Sequence, residues 1–309
     1  MPLLVLGSAN ADLVVRCDRF PRPGETLLGG RFATHPGGKG ANQAVAAARL
    51  ADGAEVRFVA KVGADGFGES MRAGYAAEGI ATDHVLTDPT AATGTALITV
   101  DAAGENTIVV ASGANATLSV ADLDAVGAAF AKTRVALLQL ETPLPTVRAA
   151  AERARAAGAR VILNPAPAQA LPDELLVAVD VLTPNETEAA ALAGVPTDTD
   201  AGVEAAAETL RRRGVGAVIV TLGARGAYVL AGETAAYVPA PVVEAVDTTA
   251  AGDCFNGALA VALAEGRSLA DATAFACHAA AVSVTRAGAQ PSLPSRGEVD
   301  VPSRGTAVP

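Results

Sequence analysis

The residues with the clearest chemical potential lie at 246–257, where Asp253 follows three small residues, Ala250, Ala251 and Gly252. Small residues let a ligand approach the backbone closely, and a helix beginning here leaves its first N–H groups without internal partners. Such a turn suits a phosphate or a developing oxyanion, because the helix dipole adds partial positive charge. A lone carboxylate would repel a phosphate in an anion site. Its presence there is better explained if it is a general base that accepts the proton of a hydroxyl attacking phosphorus. The alternative is that Asp253 only caps the helix beside small packing residues.

A second glycine-rich stretch occupies 36–43, with the sequence Pro-Gly-Gly-Lys-Gly-Ala-Asn-Gln, and runs into a predicted helix. Its glycines bring backbone N–H groups close to a ligand, and Lys39 and Asn42 fall on the first helical turn. The stretch is not a P-loop, because Gly40 stands where Ser or Thr is required and Ala33 where the first Gly is required. By itself it is a weak indication of phosphate chemistry.

Composition excludes several classes of protein. The chain has 309 residues, a net charge of −10 and no run of basic residues, which argues against nucleic-acid binding. Charged residues interrupt the most apolar region, 255–284, so we expect two packed helices and no membrane span. The three cysteines are odd in number and widely spaced, which predicts reduced thiols. Together with the absence of a basic, cleavable N-terminal segment, this predicts a cytoplasmic protein.

Periodicity predicts an α/β fold with one large domain over residues 1–296 and a frayed tail over 297–309. Helical and strand patterns alternate from residue 119 onward, which indicates parallel strands joined by crossover helices. Two stretches, 13–35 and 94–111, show antiparallel and hairpin patterns instead. We expect these two stretches to pair into a small β-sheet that covers a site on the main domain.

Polar residues follow nearly every predicted strand of the main sheet. Asp12 is expected at the carboxyl end of the first strand, 3–6. The other clusters contain Glu141, Asn164, Asn185 with Glu188, and Thr221 with Gly223. In an open parallel sheet the carboxyl edge is where ligands bind, so five clusters predict one site there. A single cluster could instead be a cap or a turn, and Asn185 with Glu188 would form a good capping pair.

Taken together, these motifs resemble the ribokinase (PfkB) family of carbohydrate kinases over about residues 3–296. The resemblance rests on the stretches 7–12, 37–44, 138–141, 185–188, 221–226, 247–257 and 288–292. It implies a Rossmann-like, mostly parallel sheet flanked by helices, with a small β-sheet lid that forms a homodimer contact. It also implies ATP-dependent phosphorylation of D-ribose at the 5-hydroxyl, with Mg²⁺ and with K⁺ as an activator.

The resemblance also implies roles for individual residues. Asp253 corresponds to the base, and Ala250, Ala251 and Gly252 to the anion hole. The residues matching the sugar site are Asn10, Asp12, Gly38, Lys39, Asn42, Glu141 and Asp253. Those matching the nucleotide site are Asn185, Thr221, Gly223, Gly226, Gly252 and Cys277, while Glu188 would act on Mg²⁺ through water. The K⁺ positions are Asp247, Thr249, Ser283, Arg286, Gly288 and Ser292, several of them acting through backbone carbonyls.

Other functions remain open on the sequence alone. A kinase of the same family acting on 2-deoxyribose, adenosine or a fructose-like sugar would differ by small changes in the pocket. A catalytically silent sugar or nucleotide sensor on the same fold is a second alternative, and the presence of Asp253 and Gly252 disfavours it. A Rossmann dehydrogenase is disfavoured because no G-x-G-x-x-G follows the first strand.

Overall fold

The first strand, β1 (Leu3–Leu6), consists of four buried aliphatic residues, as expected for a strand covered by helices on both faces. The computed structural model describes residues 2–300. The other strands of the main sheet are β4 (Val56–Gly63), β5 (Val85–Asp88), β8 (Val135–Leu138), β9 (Arg160–Leu163), β10 (Val181–Leu182), β11 (Ala217–Thr221), β12 (Ala227–Ala231) and β13 (Thr234–Val238). These form a nine-stranded sheet in the order β13-β12-β11-β10-β9-β8-β1-β4-β5.

The sheet is parallel from β5 to β11 and ends in two antiparallel strands, β12 and β13. From β1 the chain passes outward to β4 and β5 on one side, and later returns to β8 on the other side of β1. The direction in which successive strands are added to the sheet therefore reverses between β1 and β8. In sheets of this kind the crevice outside the carboxyl ends at that point is where ligands bind.

Ten helices of the described chain surround the sheet: α1 (Lys39–Leu50), α2 (Gly66–Ala77), α3 (Val120–Ala125), α4 (Leu144–Ala156), α5 (Asp173–Leu176), α6 (Glu186–Ala193), α7 (Asp200–Arg212), α8 (Ala251–Ala264), α9 (Leu269–Ser283) and α10 (Arg296–Val299). Alternate residues of β1 belong to two cores. Leu3 and Val5 join the core with α1, α8 and α9, whereas Leu4 and Leu6 join the core with α4 and α7. Within residues 2–300, none of these helices is long and apolar enough to cross a membrane.

The smaller sheet contains β2 (Asn10–Arg16), β3 (Arg31–Gly37), β6 (Gly94–Val100) and β7 (Asn106–Ala111), in the order β3-β2-β6-β7. The two antiparallel stretches therefore pair as predicted, through parallel pairing of β2 with β6. Leu13 lies opposite Leu97, which lies opposite Val109, so these three side chains share one face. Asp12, the neighbour of Leu13, lies on the other face.

Two boundaries of this lid sheet differ from the sequence prediction. The lid begins at Asn10 and not at 13, and β3 continues to Gly37 and not to 35. The prediction that Asp12 lies at the carboxyl end of β1 is therefore wrong. Asp12 lies inside β2, where it pairs with both β3 and β6. Only three residues separate β1 from β2.

Further differences concern short elements. Neither α2 nor β5 is predicted from the sequence; in α2, glycines at 66, 68 and 74 weaken the helical pattern. Within the alternating pattern that starts at residue 119, the sequence predicts a helix over 120–131, but α3 ends at Ala125 and is followed by a 3₁₀ turn, Gly127–Phe130. The predicted tail begins inside α10, whose Ser295 and Glu298 form a capping box. Residues 301–309 of that tail lie outside the described residues.

Candidate active site

Asp253 lies in the first turn of α8 and is buried, with 6% of its surface exposed. The helix is preceded by Ala250, which adopts a left-handed conformation with φ 60° and ψ 13° and provides no side-chain cap. The amides of Gly252 and Asp253 have no acceptor inside the helix, and Gly252 is exposed. The free N–H groups that the predicted anion-binding turn requires are therefore present. The alternative, in which Asp253 caps the helix, is wrong, because Ala250 occupies the N-cap position.

Two side-chain amides from α1 hold the carboxylate of Asp253. Asn42 donates from Nδ2 to Oδ2 at 2.9 Å, and Gln43 donates from Nε2 to Oδ1 at 3.0 Å. Burial raises the pKa of Asp253, while the charge of Lys39 and these two hydrogen bonds act to lower it. Asn42 was predicted to bind sugar hydroxyls, and one N–H of its amide is already engaged with Asp253.

Glu141 follows β8 and is fixed by groups from two other segments. Ser8 donates from Oγ to Oε2 of Glu141 at 2.5 Å, and the backbone N–H of Lys39 donates to the same oxygen at 3.1 Å. The close contact between these segments depends on Gly40, since a Cβ there would lie 2.6 Å from the backbone of Gly7 and Ser8. Glycine at 40 therefore serves backbone packing, a role separate from the ligand access that the sequence predicts.

Asp12 reaches the same region from the lid. Burial first, and then the charges of Glu141 and Asp253, raise the pKa of Asp12 to about 6. A Cβ on Gly37 would lie 2.1 Å from an Asp12 carboxylate oxygen, so glycine is needed there to leave room for Asp12. Asn10, also predicted for the sugar site, is buried and its side-chain oxygen accepts a hydrogen bond from Asn115 at 2.7 Å.

Lys39 is the cation at the centre of these carboxylates. Burial lowers the pKa of Lys39, but the charges of Asp253, Glu141 and Glu188 outweigh this and raise it above its ordinary value. Lys39 is therefore charged at neutral pH. Gly38, directly before it, has φ 90° and serves as the N-cap of α1, a conformation that favours glycine.

Two adjoining cavities open at the start of α8. The first has a volume of about 240 Å³ and is lined by polar groups that include Lys39, Asn185, Glu188 and Asp253. The second has a volume of about 320 Å³ and is mostly apolar, with Gly223, Gly226 and Cys277 in its wall. The residues that line both cavities are Thr221, Thr248, Ala251 and Gly252. A polar compartment joined to an apolar one at a helix N-terminus suits a ligand with phosphates and an aromatic base.

Asn185 and Glu188 form a capping box at the start of α6, as the sequence allowed. Asn185 accepts from the backbone N–H of Glu188 at 2.8 Å, and Glu188 accepts from the backbone N–H of Asn185 at 2.9 Å. Glu188 also lines the polar cavity, and burial is the main cause that raises its pKa. Asn185 and Glu188 therefore cap α6 and also line the polar cavity.

The positions predicted for K⁺ lie on two neighbouring loops and the end of α9. Asp247 accepts from the N–H of Thr249 at 2.9 Å and from the N–H of Gly288 at 2.8 Å, which ties the loops together. Ser283 and Ser292 are buried and donate to backbone carbonyls of their own segments. The guanidinium of Arg286 is itself a cation and is paired with Glu298, so only the backbone carbonyl of Arg286 could contact K⁺.

Within residues 2–300 no group of three or more His, Cys, Asp or Glu side chains could hold a metal ion. A cation at the Asp247 loops would therefore rely on backbone carbonyls, which can replace the hydration shell of K⁺. A Mg²⁺ at Glu188 would keep several waters and use phosphate oxygens, which is its usual mode of binding. The donor groups present fit both ions on these terms.

Comparison with known proteins decides the family. The family model described as pfkB family carbohydrate kinase matches residues 2–296. The chain belongs to this family. It is 47% identical to a ribokinase of Haemophilus influenzae, over 96% of each chain. A deoxyribokinase of Salmonella typhimurium is 40% identical, also over 96% of each chain. The structure of Arabidopsis thaliana ribokinase complexed with ribose and ATP is 36% identical, with a TM-score of 0.89, and the match covers 96% of this chain and 97% of that one.

The sequence prediction missed several buried amide and hydroxyl groups around the site. The group comprises Gln43, Gln139, Thr183, Asn256 and Gln290. Asn256 donates to the carbonyl oxygen of Gly252 at 2.8 Å and accepts from Thr183 at 2.6 Å, which fixes the turn before Asp253. The available signal was a polar residue inside an alanine-rich helix, where an unpaired amide would be costly.

Proposed function

We propose that this protein transfers the γ-phosphoryl group of ATP to the 5-hydroxyl of D-ribose. The observation that carries the proposal is a buried carboxylate, Asp253, in the first turn of a helix whose free N–H groups face a polar cavity. The similarity to a ribokinase at 47% identity over nearly the whole chain supports ribose as the acceptor. The adjoining apolar cavity at Cys277 supports an adenine nucleotide as the donor.

Each step of the transfer has a candidate group. Asp12, Glu141 and Lys39 hold the hydroxyls of the sugar, since carboxylates accept two hydroxyl protons and an ammonium group donates. The 5-hydroxyl oxygen forms a bond to the γ-phosphorus as the bond to the β–γ bridging oxygen breaks, and its proton passes to Asp253. The N–H groups of Gly252 and Asp253 stabilise the charge on the transferred group. Mg²⁺, when bound through water at Glu188, would neutralise phosphate charge.

The direct test is a coupled assay for ADP release by the purified protein with D-ribose, 2-deoxyribose or adenosine as acceptor. We expect D-ribose to give the highest kcat/KM and removal of Mg²⁺ by chelation to stop turnover. A higher kcat/KM with 2-deoxyribose would move the protein to deoxyribokinase activity, an alternative supported by the similarity to the Salmonella enzyme. Binding of sugar or nucleotide without turnover of any acceptor would indicate a sensor.

Sugar affinity should depend on pH through Asp12. The pKa of Asp12 is raised to about 6, so its carboxylate gains a proton as pH falls through this value. The protonated acid loses acceptor capacity for the sugar hydroxyls, and Kd for ribose should rise by up to about tenfold per pH unit below 6. Isothermal titration calorimetry between pH 5 and 8 measures this. The Asp12→Asn variant should bind more weakly with a flat profile; an unchanged slope in that variant would exclude Asp12.

Activation by K⁺ should depend on the loops joined at Asp247. The Asp247→Ala variant removes the acceptor for Thr249 and Gly288, so the loops lose the contact that holds them beside the anion-binding turn. We expect the wild-type rate to be higher in K⁺ than in Na⁺, and the variant to show the same low rate in both. Persistent stimulation by K⁺ in the variant would place the cation elsewhere.

A homodimer through the lid is supported by exposed apolar side chains on the face opposite Asp12. Leu97 and Val109 are 54% and 67% exposed, and Phe32 on the edge strand β3 is 65% exposed. An apolar patch of this kind on a soluble enzyme marks an interaction surface. We expect a dimer by sedimentation velocity, and a monomer when Leu97 and Val109 are both replaced by Glu. Leu28→Glu, at an exposed leucine outside the strands, is the control; a dimer that survives the double substitution would contradict the proposal.

The cysteines support a cytoplasmic location. Cys17, Cys254 and Cys277 are all unpaired, and the last two are buried. Unpaired thiols are usual in reducing compartments. Burial raises the pKa of Cys277 to about 11, so this thiol stays protonated in the wall of the apolar cavity.

A further inference from the structure

The close contact between α1 and α8 brings the amide of Gln43 to Asp253. Gly257 lies one helical turn after Asp253, and a Cβ at this position would lie 2.6 Å from Cβ of Ala46 and 2.9 Å from the carbonyl oxygen of Gln43. Glycine at 257 therefore allows the two helix backbones to approach. Without this approach, a glutamine on α1 could not reach a carboxylate on α8 with its amide nitrogen.

Every polar atom of the Gln43 amide has a partner. Its Nε2 donates to Oδ1 of Asp253 at 3.0 Å and to Oδ1 of Asn164 at 3.1 Å, which uses both N–H groups. Its Oε1 accepts from Nε2 of Gln139 at 2.5 Å. The side chain of Gln43 is fully buried, so water does not compete for these groups. The amide is thus locked with its nitrogen towards the carboxylate.

Gln139 donates the hydrogen bond that reinforces this orientation, while its own Oε1 is buried without a hydrogen-bond partner in the described chain. It directly follows β8, is fully buried, and sits where a Cβ on Gly7 would come within 1.8 Å of its Oε1. If the Gln139 donor were absent, Oε1 of Gln43 would be buried without a partner, and the orientation rotated by half a turn, with the oxygen towards Asp253, would become less unfavourable. Two facing oxygens repel, so the carboxylate would lose both a hydrogen bond and its fixed position.

We propose that Gln43 is a positioning residue for Asp253, and that Gln139 holds the amide of Gln43 in its donating orientation. The inference deepens the proposed kinase activity and rests on it for the kinetic effects. One N–H on each carboxylate oxygen, from Asn42 and Gln43, fixes the plane of the carboxylate and leaves the remaining lone pairs for the sugar hydroxyl. The hydrogen bond from Gln43 also acts against the burial that raises the pKa of Asp253.

The test uses three variants: Gln43→Met, Gln139→Met and the double substitution. Methionine keeps the length of the side chain and removes the amide. Gln43→Met should lower kcat roughly 10- to 100-fold, because small displacements of a reacting group cost this much, with little change in Kd for ribose. The acid limb of the kcat profile should shift to higher pH. Gln139→Met should show a smaller loss, and the double variant no more than Gln43→Met alone.

The matched control is Gln169→Met, at an exposed glutamine that donates to the carbonyl oxygen of Leu140 at 3.4 Å. It should keep the wild-type kcat. Losses that multiply in the double variant would show that Gln139 does not act through Gln43. An unchanged kcat and pH profile in Gln43→Met would overturn the proposal, and if that variant does not fold, an unchanged pH profile in Gln139→Met would do so.

A measurement without substrate separates this inference from the proposed function. In protein labelled with ¹³C at the aspartate carboxyl carbons, the signal of Asp253 is assigned by its absence in Asp253→Asn. Its titration should move to higher pH in Gln43→Met and, by less, in Gln139→Met. If wild-type protein does not phosphorylate ribose but the titration shifts, the proposed function fails and the positioning contact stands. If ribose is phosphorylated and the titration does not shift, only the positioning inference fails.

Discussion

The Asp253→Asn variant is expected to retain on the order of one-thousandth of the wild-type kcat with ribose, in line with the loss of a general base. The substitution keeps the size of the side chain, so Kd for ribose should change by only a few-fold. The amide nitrogen of the new side chain will face one of the two donors, Asn42 or Gln43, and this mismatch adds to the loss in kcat.

Single-turnover phosphoryl transfer with saturating ATP and ribose isolates the chemical step in Asp253→Asn from product release. Calorimetric titration with ribose and circular dichroism show whether the site and the fold are intact. Asp253→Ala is a less suitable variant, because it leaves the buried N–H groups of Asn42 and Gln43 without an acceptor. General-base catalysis contributes at least about a hundredfold to the rate. Retention of more than about a tenth of the wild-type rate would therefore remove Asp253 from the role of base.

The second large effect is expected for Lys39→Met, which removes the cation among Asp253, Glu141 and Glu188. We expect kcat/KM to fall by roughly 10²- to 10³-fold, because a preorganised positive charge at the reacting groups is lost. The charge of Lys39 also acts to lower the pKa of Asp253. Without it, Asp253 stays protonated to higher pH, and the acid limb of the pH profile should move upward.

The measurement for Lys39→Met is a set of pH profiles of kcat/KM for the wild type and the variant. The control is Lys132→Met, at an exposed lysine between the 3₁₀ turn and β8, which should behave as the wild type. A fall in kcat/KM without a shift of the acid limb would mean that Lys39 contacts substrate but does not act on Asp253. Wild-type kinetics would contradict both roles.

The sequence predicted the parallel sheet well because its strands are continuous apolar runs. The sequence predicts strands over 3–6 and 217–221, and β1 and β11 have these bounds, since β-branched and leucine residues bounded by turns leave few alternatives. The start of α8 directly after Ala250, with Asp253 in its first turn, was also predictable, because small residues before a helix and an acid within it make an unusual combination. The capping box of Asn185 and Glu188 follows from their spacing alone.

Side-chain pairing across long separations was not predictable. Gln43 contacts Asp253, which lies 210 residues later, and that pairing depends on the approach of two helices at Gly257. The position of Asp12 was wrong because the lid strand β2 starts almost directly after β1, and no residue pattern marks the boundary. Local periodicity fixes elements, whereas contacts between elements depend on packing that one sequence does not reveal.

The most direct test of the proposed kinase activity is the identity of the product. Purified protein is incubated with ATP, Mg²⁺, K⁺ and D-ribose uniformly labelled with ¹³C, and the product is examined by ³¹P and ¹³C nuclear magnetic resonance. We predict a single monoester with phosphorus coupled to C5 of the sugar, formed with stoichiometric ADP and not formed by Asp253→Asn. Phosphorus coupled to C1, or no sugar phosphate from folded protein, would contradict the assignment of ribose 5-hydroxyl phosphorylation.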